Sequence, residues 1–105
     1  MEDWSKFIGF QLMSGDTSQL SPLQRTKLLT PNKNNYACGW AVVEPKWADE
    51  LVYTHAGSNT FNFSQTWIIP KANLGILINT NSSSKNTRDL FRGVRNEILE
   101  AYKNQ

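Results

Sequence analysis

The residues of this chain best suited to chemistry lie in the segment from Tyr53 to Phe61. His55 carries the chain's single imidazole, a group that can bind a ligand or move a proton near neutral pH. Gly57 follows two residues later, where the lack of a side chain lets the backbone approach a ligand closely, and Ser58 comes next. We interpret this segment as one wall of a binding site. A strand-end histidine bonded to backbone is the structural alternative for His55.

Strand patterns surround this segment. We predict strands over 51–55, 61–69 and 74–79 as consecutive antiparallel neighbours, because the connections between them are too short for a parallel crossover. An earlier strand is predicted over 36–44, ending at Pro45. The stretch 74–78 is nearly all apolar, which is typical of a strand that is covered on both faces.

Helical patterns flank the strands. Trp4, Phe7 and Ile8 recur at helical spacing, and that helix is predicted to end at 14–16. A serine N-cap followed by proline, Ser21-Pro22, starts a second helix that Pro31 stops. Thr87 is predicted to cap a last helix. This last helix carries a wide apolar stripe that we expect to close the core. The stripe consists of Leu90, Phe91, Val94, Ile98, Leu99 and Tyr102. The fold class predicted is α+β, an antiparallel sheet with the first and last helices on one face.

Length and composition restrict the alternatives. A chain of 105 residues suits a single domain over 1–105. Its 11 Lys and Arg and 9 Asp and Glu give a net charge of +2, too small and scattered to indicate nucleic-acid binding. No apolar run approaches the roughly 20 residues that span a bilayer. We expect Cys38 to be a small buried side chain. No second Cys or His lies at the spacing of metal ligands, so we predict no metal or cofactor. A single cysteine assigns the chain to no redox compartment.

Short motifs follow one another along the whole chain. In order they are the helix Asp3–Phe7, Leu20-Ser21-Pro22, Tyr36-x-x-Gly39-Trp40, His55-x-Gly57 and Asn73-Leu74-Gly75-Ile76 with Asn79-Thr80-Asn81. Their order and spacing resemble the C-terminal part of the serine β-lactamase and penicillin-binding-protein-like hydrolase family. The resemblance implies part of a β-lactamase/transpeptidase-like fold and acyl transfer on an amide or ester.

The resemblance also implies roles for the candidate residues. In that family a Lys/His-x-Gly strand lines the acyl-transfer site, opposite a Ser-x-x-Lys nucleophile and a Tyr-x-Asn element. His55 and Gly57 would then bind a small-molecule or peptide substrate, and the backbone N–H of Ser58 would join the oxyanion hole. Ala56 departs from the usual Thr or Ser and removes a hydroxyl that helps bind a substrate carboxylate. A β-lactam, an ester and a D-amino-acid peptide all stay open as substrates.

No catalytic nucleophile is assigned in this chain. Ser82-Ser83-Ser84-Lys85 lies in a polar loop and Tyr102-Lys103-Asn104 at the end of the last helix, so we interpret both as chance matches. The resemblance therefore implies a fragment whose nucleophile lies in a missing N-terminal part. That part, or a second copy, would cover a sheet face carrying Trp67, Ile69 and Leu77. A non-catalytic α+β binding module and a gene remnant are the alternatives.

Overall fold

The computed structural model describes residues 1–12, 21–48 and 50–104. Within them, five strands form one antiparallel sheet whose strand order follows the chain, and three α-helices accompany it. The predicted α+β class is therefore confirmed. The elements are α1 (Glu2–Leu12), α2 (Pro22–Leu29), β1 (Tyr36–Ala37), β2 (Trp40–Val43), β3 (Val52–Ser58), β4 (Phe63–Ile69), a 3₁₀ turn (Pro70–Ala72), β5 (Leu74–Thr80) and α3 (Thr87–Lys103).

The chain divides into two compact units. The first comprises Met1–His55 and Trp67–Gly75, and the second comprises Ala56–Thr66 and Ile76–Gln105. β3, β4 and β5 each contribute residues to both units. The sequence-based expectation of a single domain stays a prediction.

In the first unit, α1 packs against β5 at a glycine. Ile8 is 2% exposed, and a Cβ placed on Gly75 would lie only 2.5 Å from the Cγ2 atom of Ile8. Gly75 therefore gives the helix room to approach the strand. The helix forms where the apolar spacing predicts it, and its predicted end at 14–16 lies outside the described residues.

α2 begins at the predicted pair of residues. The Ser21 hydroxyl accepts a hydrogen bond from the backbone N–H of Gln24 at 3.2 Å, and the Ser21 N–H donates to the Gln24 side chain at 3.0 Å. This reciprocal capping box satisfies two backbone groups, and Pro22 holds the first helical position. Thr30 closes the helix directly before Pro31, so both predicted ends are confirmed.

The single strand predicted over 36–44 is wrong, because β1 and β2 are separate strands of a hairpin. Ala37 pairs with Trp40, and Gly39 turns the chain with a φ of +81°. That left-handed conformation favours glycine, and the apolar residues on either side of it concealed the turn in the sequence. Cys38 lies in the turn and is exposed, so its predicted burial is wrong as well.

β4 buries the aromatic and aliphatic residues that the sequence places in the core. Trp67 is 3% exposed and Ile69 is 2% exposed, and Trp40 of β2 is 6% exposed. Both tryptophans therefore belong to the core, as is usual for aromatic residues on strands. The prediction that a missing part or a second copy covers Trp67 and Ile69 is wrong, because this chain already buries them.

α3 buries only two of the six residues of its predicted stripe. Phe91 is 4% exposed and meets Phe63 edge to face with ring centroids 4.9 Å apart, and Leu99 is 8% exposed. Leu90 and Val94 are 65% and 46% exposed, so the prediction that they close the core is wrong. The buried side chains follow a four-residue spacing along one row of the helix, and the neighbouring row faces solvent.

The start of α3 also differs from its prediction. Asn86, not Thr87, is the N-cap residue. Thr87 is the first helical residue, and its hydroxyl accepts a hydrogen bond from the backbone N–H of Ser84 at 2.9 Å. Thr87 therefore bonds backwards to the preceding loop instead of capping the helix.

Candidate substrate-binding site

β3 carries the three residues predicted to bind substrate. It begins at Val52, one residue later than predicted, and continues past His55 to Ser58. His55 is exposed, as predicted. The predicted edge position is wrong, since β3 is the third of the five strands. The β1–β2 hairpin, which the sequence pattern presents as one strand, accounts for the extra neighbours on that side.

The aromatic neighbour of His55 is Trp40. Their ring centroids are 6.5 Å apart and the ring planes meet at 80°, which is an edge-to-face arrangement. Since Trp40 is buried in β2, it gives the exposed imidazole a fixed surface on one side. The register of β2 with β3 runs from Val43 opposite Val52 to Ala41 opposite Thr54.

A tight turn joins β3 to β4, and Asn59 organises it. The Asn59 side-chain oxygen accepts hydrogen bonds from the backbone N–H of Phe61 at 3.2 Å, from that of Asn62 at 2.9 Å and from the Asn62 amide. Thr60 has a φ of +84°, a left-handed conformation that is unusual for a β-branched residue. Phe61 is 76% exposed at the tip. The bonds to Asn59 therefore hold an aromatic ring out in solvent.

A pocket of about 640 Å³ opens to solvent in the second unit, within the usual size range of small-molecule sites. Its lining residues are Gly57, Ser58, Asn59, Asn62, Phe63, Ser64, Asn79 and Thr80. Among these described residues none is ionisable, and most carry a hydroxyl or an amide. The structure thus brings two predicted site residues, Gly57 and Ser58, into one pocket, whereas His55 is not part of its lining.

Hydrogen bonds between distant residues shape the walls of this pocket. The hydroxyls of Ser58 and Ser83 lie 2.9 Å apart and share a hydrogen bond. The Ser64 hydroxyl donates to the side-chain oxygen of Asn79 on β5. Phe63 is buried under the pocket, and the exposed guanidinium of Arg88 lies 4.8 Å from the centre of its ring.

The Ser82–Lys85 motif lies in the exposed loop between β5 and α3, where the sequence predicts a loop. Within the described part of the chain, no hydrogen bond joins a serine hydroxyl to a lysine or to His55. Ser83 bonds to Ser58, and Ser84 bonds to Thr87. Among the described residues, Ser82 therefore has no hydrogen-bonded base of the kind that activates a nucleophile.

Sequence reasoning missed several residues of the pocket. Asn59 and Asn62 lie three residues apart between two strands, and asparagine in that position is a signal for a side-chain-bonded turn. That signal alone would have located the rim of the pocket. Asn79 of the lining had no such signal, and neither had Ser83, which bonds to the lining residue Ser58, because each meets its partner only in the folded unit.

The first unit holds cavities of a different kind. Arg25, Leu29 and Tyr53 line both an enclosed cavity of about 130 Å³ and a wider one of about 400 Å³. Arg25 is 5% exposed, its Nη1 donates to the Phe10 carbonyl at 2.5 Å, and its guanidinium stacks on the Phe10 ring at 4.4 Å. The Tyr53 hydroxyl donates to the Leu29 carbonyl at 3.0 Å, and burial raises the pKa of Tyr53.

Comparison with protein-family models, with curated proteins and with solved structures found no match for this chain. Within the described ranges, no group of three or more His, Cys, Asp or Glu side chains can hold a metal ion. No helix of the described part is long and apolar enough to cross a membrane.

Proposed function

We propose that this chain is the C-terminal part of a serine β-lactamase-like hydrolase that acts by acyl transfer on an amide or ester. In the complete protein, a serine from a further segment attacks the substrate carbonyl, a C–O bond forms, and the amine or alcohol leaves. His55 and Gly57 bind the substrate, and the backbone N–H of Ser58 stabilises the oxyanion. Water then hydrolyses the acyl ester.

One observation supports this proposal most directly. Gly57 and Ser58 line an open pocket of about 640 Å³, and the imidazole of His55 on the same strand is exposed. A buried histidine bonded to backbone on both nitrogens would have favoured the structural alternative. The exposed ring can meet a substrate or a catalytic group supplied by another segment.

The test of this proposal is covalent labelling. The chain alone should give no labelled serine with a fluorophosphonate or a penicillin probe, because loss of a nucleophile costs on the order of 10⁶ in rate in one serine protease. A fusion to the segment encoded directly upstream should restore labelling. In that fusion, His55→Ala should slow acylation while its melting temperature stays close to the parent's.

Ser82→Ala is the matched control for the fusion, since it removes the chance Ser-x-x-Lys match and should leave labelling unchanged. Stoichiometric labelling of Ser82 in the chain alone would contradict the proposal. So would an upstream segment that restores no labelling.

A non-catalytic binding module is the second candidate, and the exposed row on α3 favours it. Leu90, Val94 and Ile98 are 65%, 46% and 37% exposed on one side of the helix. Several adjacent apolar side chains in solvent are typical of an interaction surface. A fusion that stays unlabelled, together with a partner whose binding Val94→Asp abolishes, would support this function over the hydrolase.

A further inference from the structure

We propose that the pocket of the second unit binds a neutral saccharide, with Phe61 as the stacking surface for the sugar ring. This inference rests on the proposed function in treating the pocket as the substrate site. It adds the chemical class of the group that the pocket holds.

The lining of the pocket has the chemistry that a sugar requires. Ser, Thr and Asn side chains each offer both a donor and an acceptor, and a sugar presents closely spaced hydroxyls that need both. Among the described lining residues none carries a charge, so no ion would lose its hydration when a neutral ligand enters. Arg88, whose guanidinium lies over the Phe63 ring, is a cation beside the pocket and is not one of its lining residues.

The rim is already oriented for hydrogen bonding. Three donors within the turn bond to the Asn59 side-chain oxygen, and they fix the plane of that amide. The side-chain amide nitrogen of Asn59 makes none of the described hydrogen bonds, so it can donate to a ligand hydroxyl. A donor held in place before binding loses little conformational freedom when the ligand arrives.

Phe61 supplies the apolar surface. It belongs to the same turn as the pocket residues Asn59 and Asn62, and it is 76% exposed. The turn holds it there although Thr60 adopts a left-handed conformation that disfavours its branched side chain. The C–H face of a pyranose can cover an aromatic ring while its hydroxyls reach the polar lining.

NMR titration of the full chain tests this inference. The probes are cellobiose, maltose and N,N′-diacetylchitobiose, with glucuronic acid as the anionic comparison and N-acetyl-triglycine amide as the neutral peptide comparison. We expect one of the neutral saccharides to bind with a Kd on the order of 1 mM and to shift the amide signals of Gly57, Asn59 and Asn62.

Two variants separate the stacking surface from the fixed donor. Phe61→Ala should weaken saccharide binding about fivefold, whereas Leu90→Ala, an exposed apolar change outside the pocket, should not. Asn59→Asp keeps an oxygen for the turn but loses the amide donor, and it should weaken binding by about the same factor. Asn34→Asp makes the same charge change in the first unit and should have no effect. Unchanged melting temperatures would show that each variant folds.

Each outcome decides the inference. No shift with any neutral saccharide, tighter binding of glucuronic acid or of the peptide, or binding that both variants leave intact would overturn it. Saccharide binding without labelling of the fusion would keep this inference and remove the hydrolase. Labelling without saccharide binding would keep the hydrolase and remove this inference.

Discussion

The cavities of the two units differ in what their polar groups do. In the first unit, Arg25 is nearly excluded from water and bonds to the Phe10 carbonyl, while Tyr53 bonds to the Leu29 carbonyl. In the second unit, the hydroxyls and amides around Ser58 and Asn59 line an open pocket and are exposed to solvent. Both regions are polar, but Arg25 and Tyr53 are buried, whereas Ser58 and Asn59 are exposed.

The difference follows from the cost of burying polar groups. A buried guanidinium or phenol must keep its hydrogen-bond partners in the protein, since an unbonded polar group in the interior costs free energy. The cavities lined by Arg25 and Tyr53 are therefore part of the structural framework. Exposed hydroxyls and amides exchange water for a ligand at a much smaller cost. We therefore expect changes in the first region to affect stability and changes in the second to affect binding.

The largest expected effect is that of Arg25→Ala in the first unit. This change removes the hydrogen bond to the Phe10 carbonyl and the stacking on the Phe10 ring, and it enlarges both cavities. It should lower the free energy of unfolding by about 2–4 kcal/mol, measured by urea denaturation.

Ser64→Ala is the comparison in the second unit. It removes one hydrogen bond, to Asn79, at the edge of an open pocket, and it should cost less than about 1 kcal/mol. Equal losses for the two variants would mean that the two cavities do not differ in the way proposed.

Two glycine substitutions should change stability in opposite directions. Gly75→Ala places a methyl group 2.5 Å from a carbon of the stiff, buried side chain of Ile8, and it should cost about 1–3 kcal/mol. Gly93→Ala lies in α3 with nothing within 4 Å, and it should add up to about 1 kcal/mol of helix stability. Thermal unfolding of both variants measures the signs. Stabilisation by Gly75→Ala would show that α1 can move away from β5 at little cost.

The sequence predicts those features that local chemistry determines. Ser21 and Pro22 start α2 because a cap acts within one turn, and β4 follows from a single run of residues between turn signals. Gly39 forms a turn between two apolar runs, and the sequence pattern does not show this turn. The stretch predicted as one strand over 36–44 therefore contains two strands, β1 and β2. Periodicity also cannot tell Phe91 from Leu90, because both lie on the apolar side of α3 and only packing against Phe63 distinguishes them.

The candidate site likewise has a part that local sequence predicts and a part that depends on contacts between distant residues. His55, Gly57 and Ser58 are neighbours in sequence, so their types and spacing make them visible together. The contact of Ser58 with Ser83 joins residues that are far apart in the chain, and no local pattern indicates it. The sequence therefore locates the strand of the site but not the pocket.

The last expected effect is a dependence of stability on pH that belongs to Tyr53. Burial disfavours the charged phenolate and raises the pKa of Tyr53 in the folded protein above its ordinary value of 10.0. Below about pH 10 the phenol is neutral in both states, so its contribution to stability is complete. As the pH rises above that value, the unfolded chain loses this proton before the folded one does, and stability falls until the folded pKa is passed.

Tyr53→Phe lacks the ionisable group and also the hydrogen bond to the Leu29 carbonyl. The parent protein should therefore be more stable than the variant by a constant amount, about 1 kcal/mol, between about pH 7 and pH 9. That advantage should shrink at higher pH, as urea denaturation of both proteins can measure. A stability advantage that grows with pH would mean that the folded state stabilises the phenolate. The cavities lined by Arg25 and Tyr53 would then resemble an anion-binding site more than a part of the structural framework.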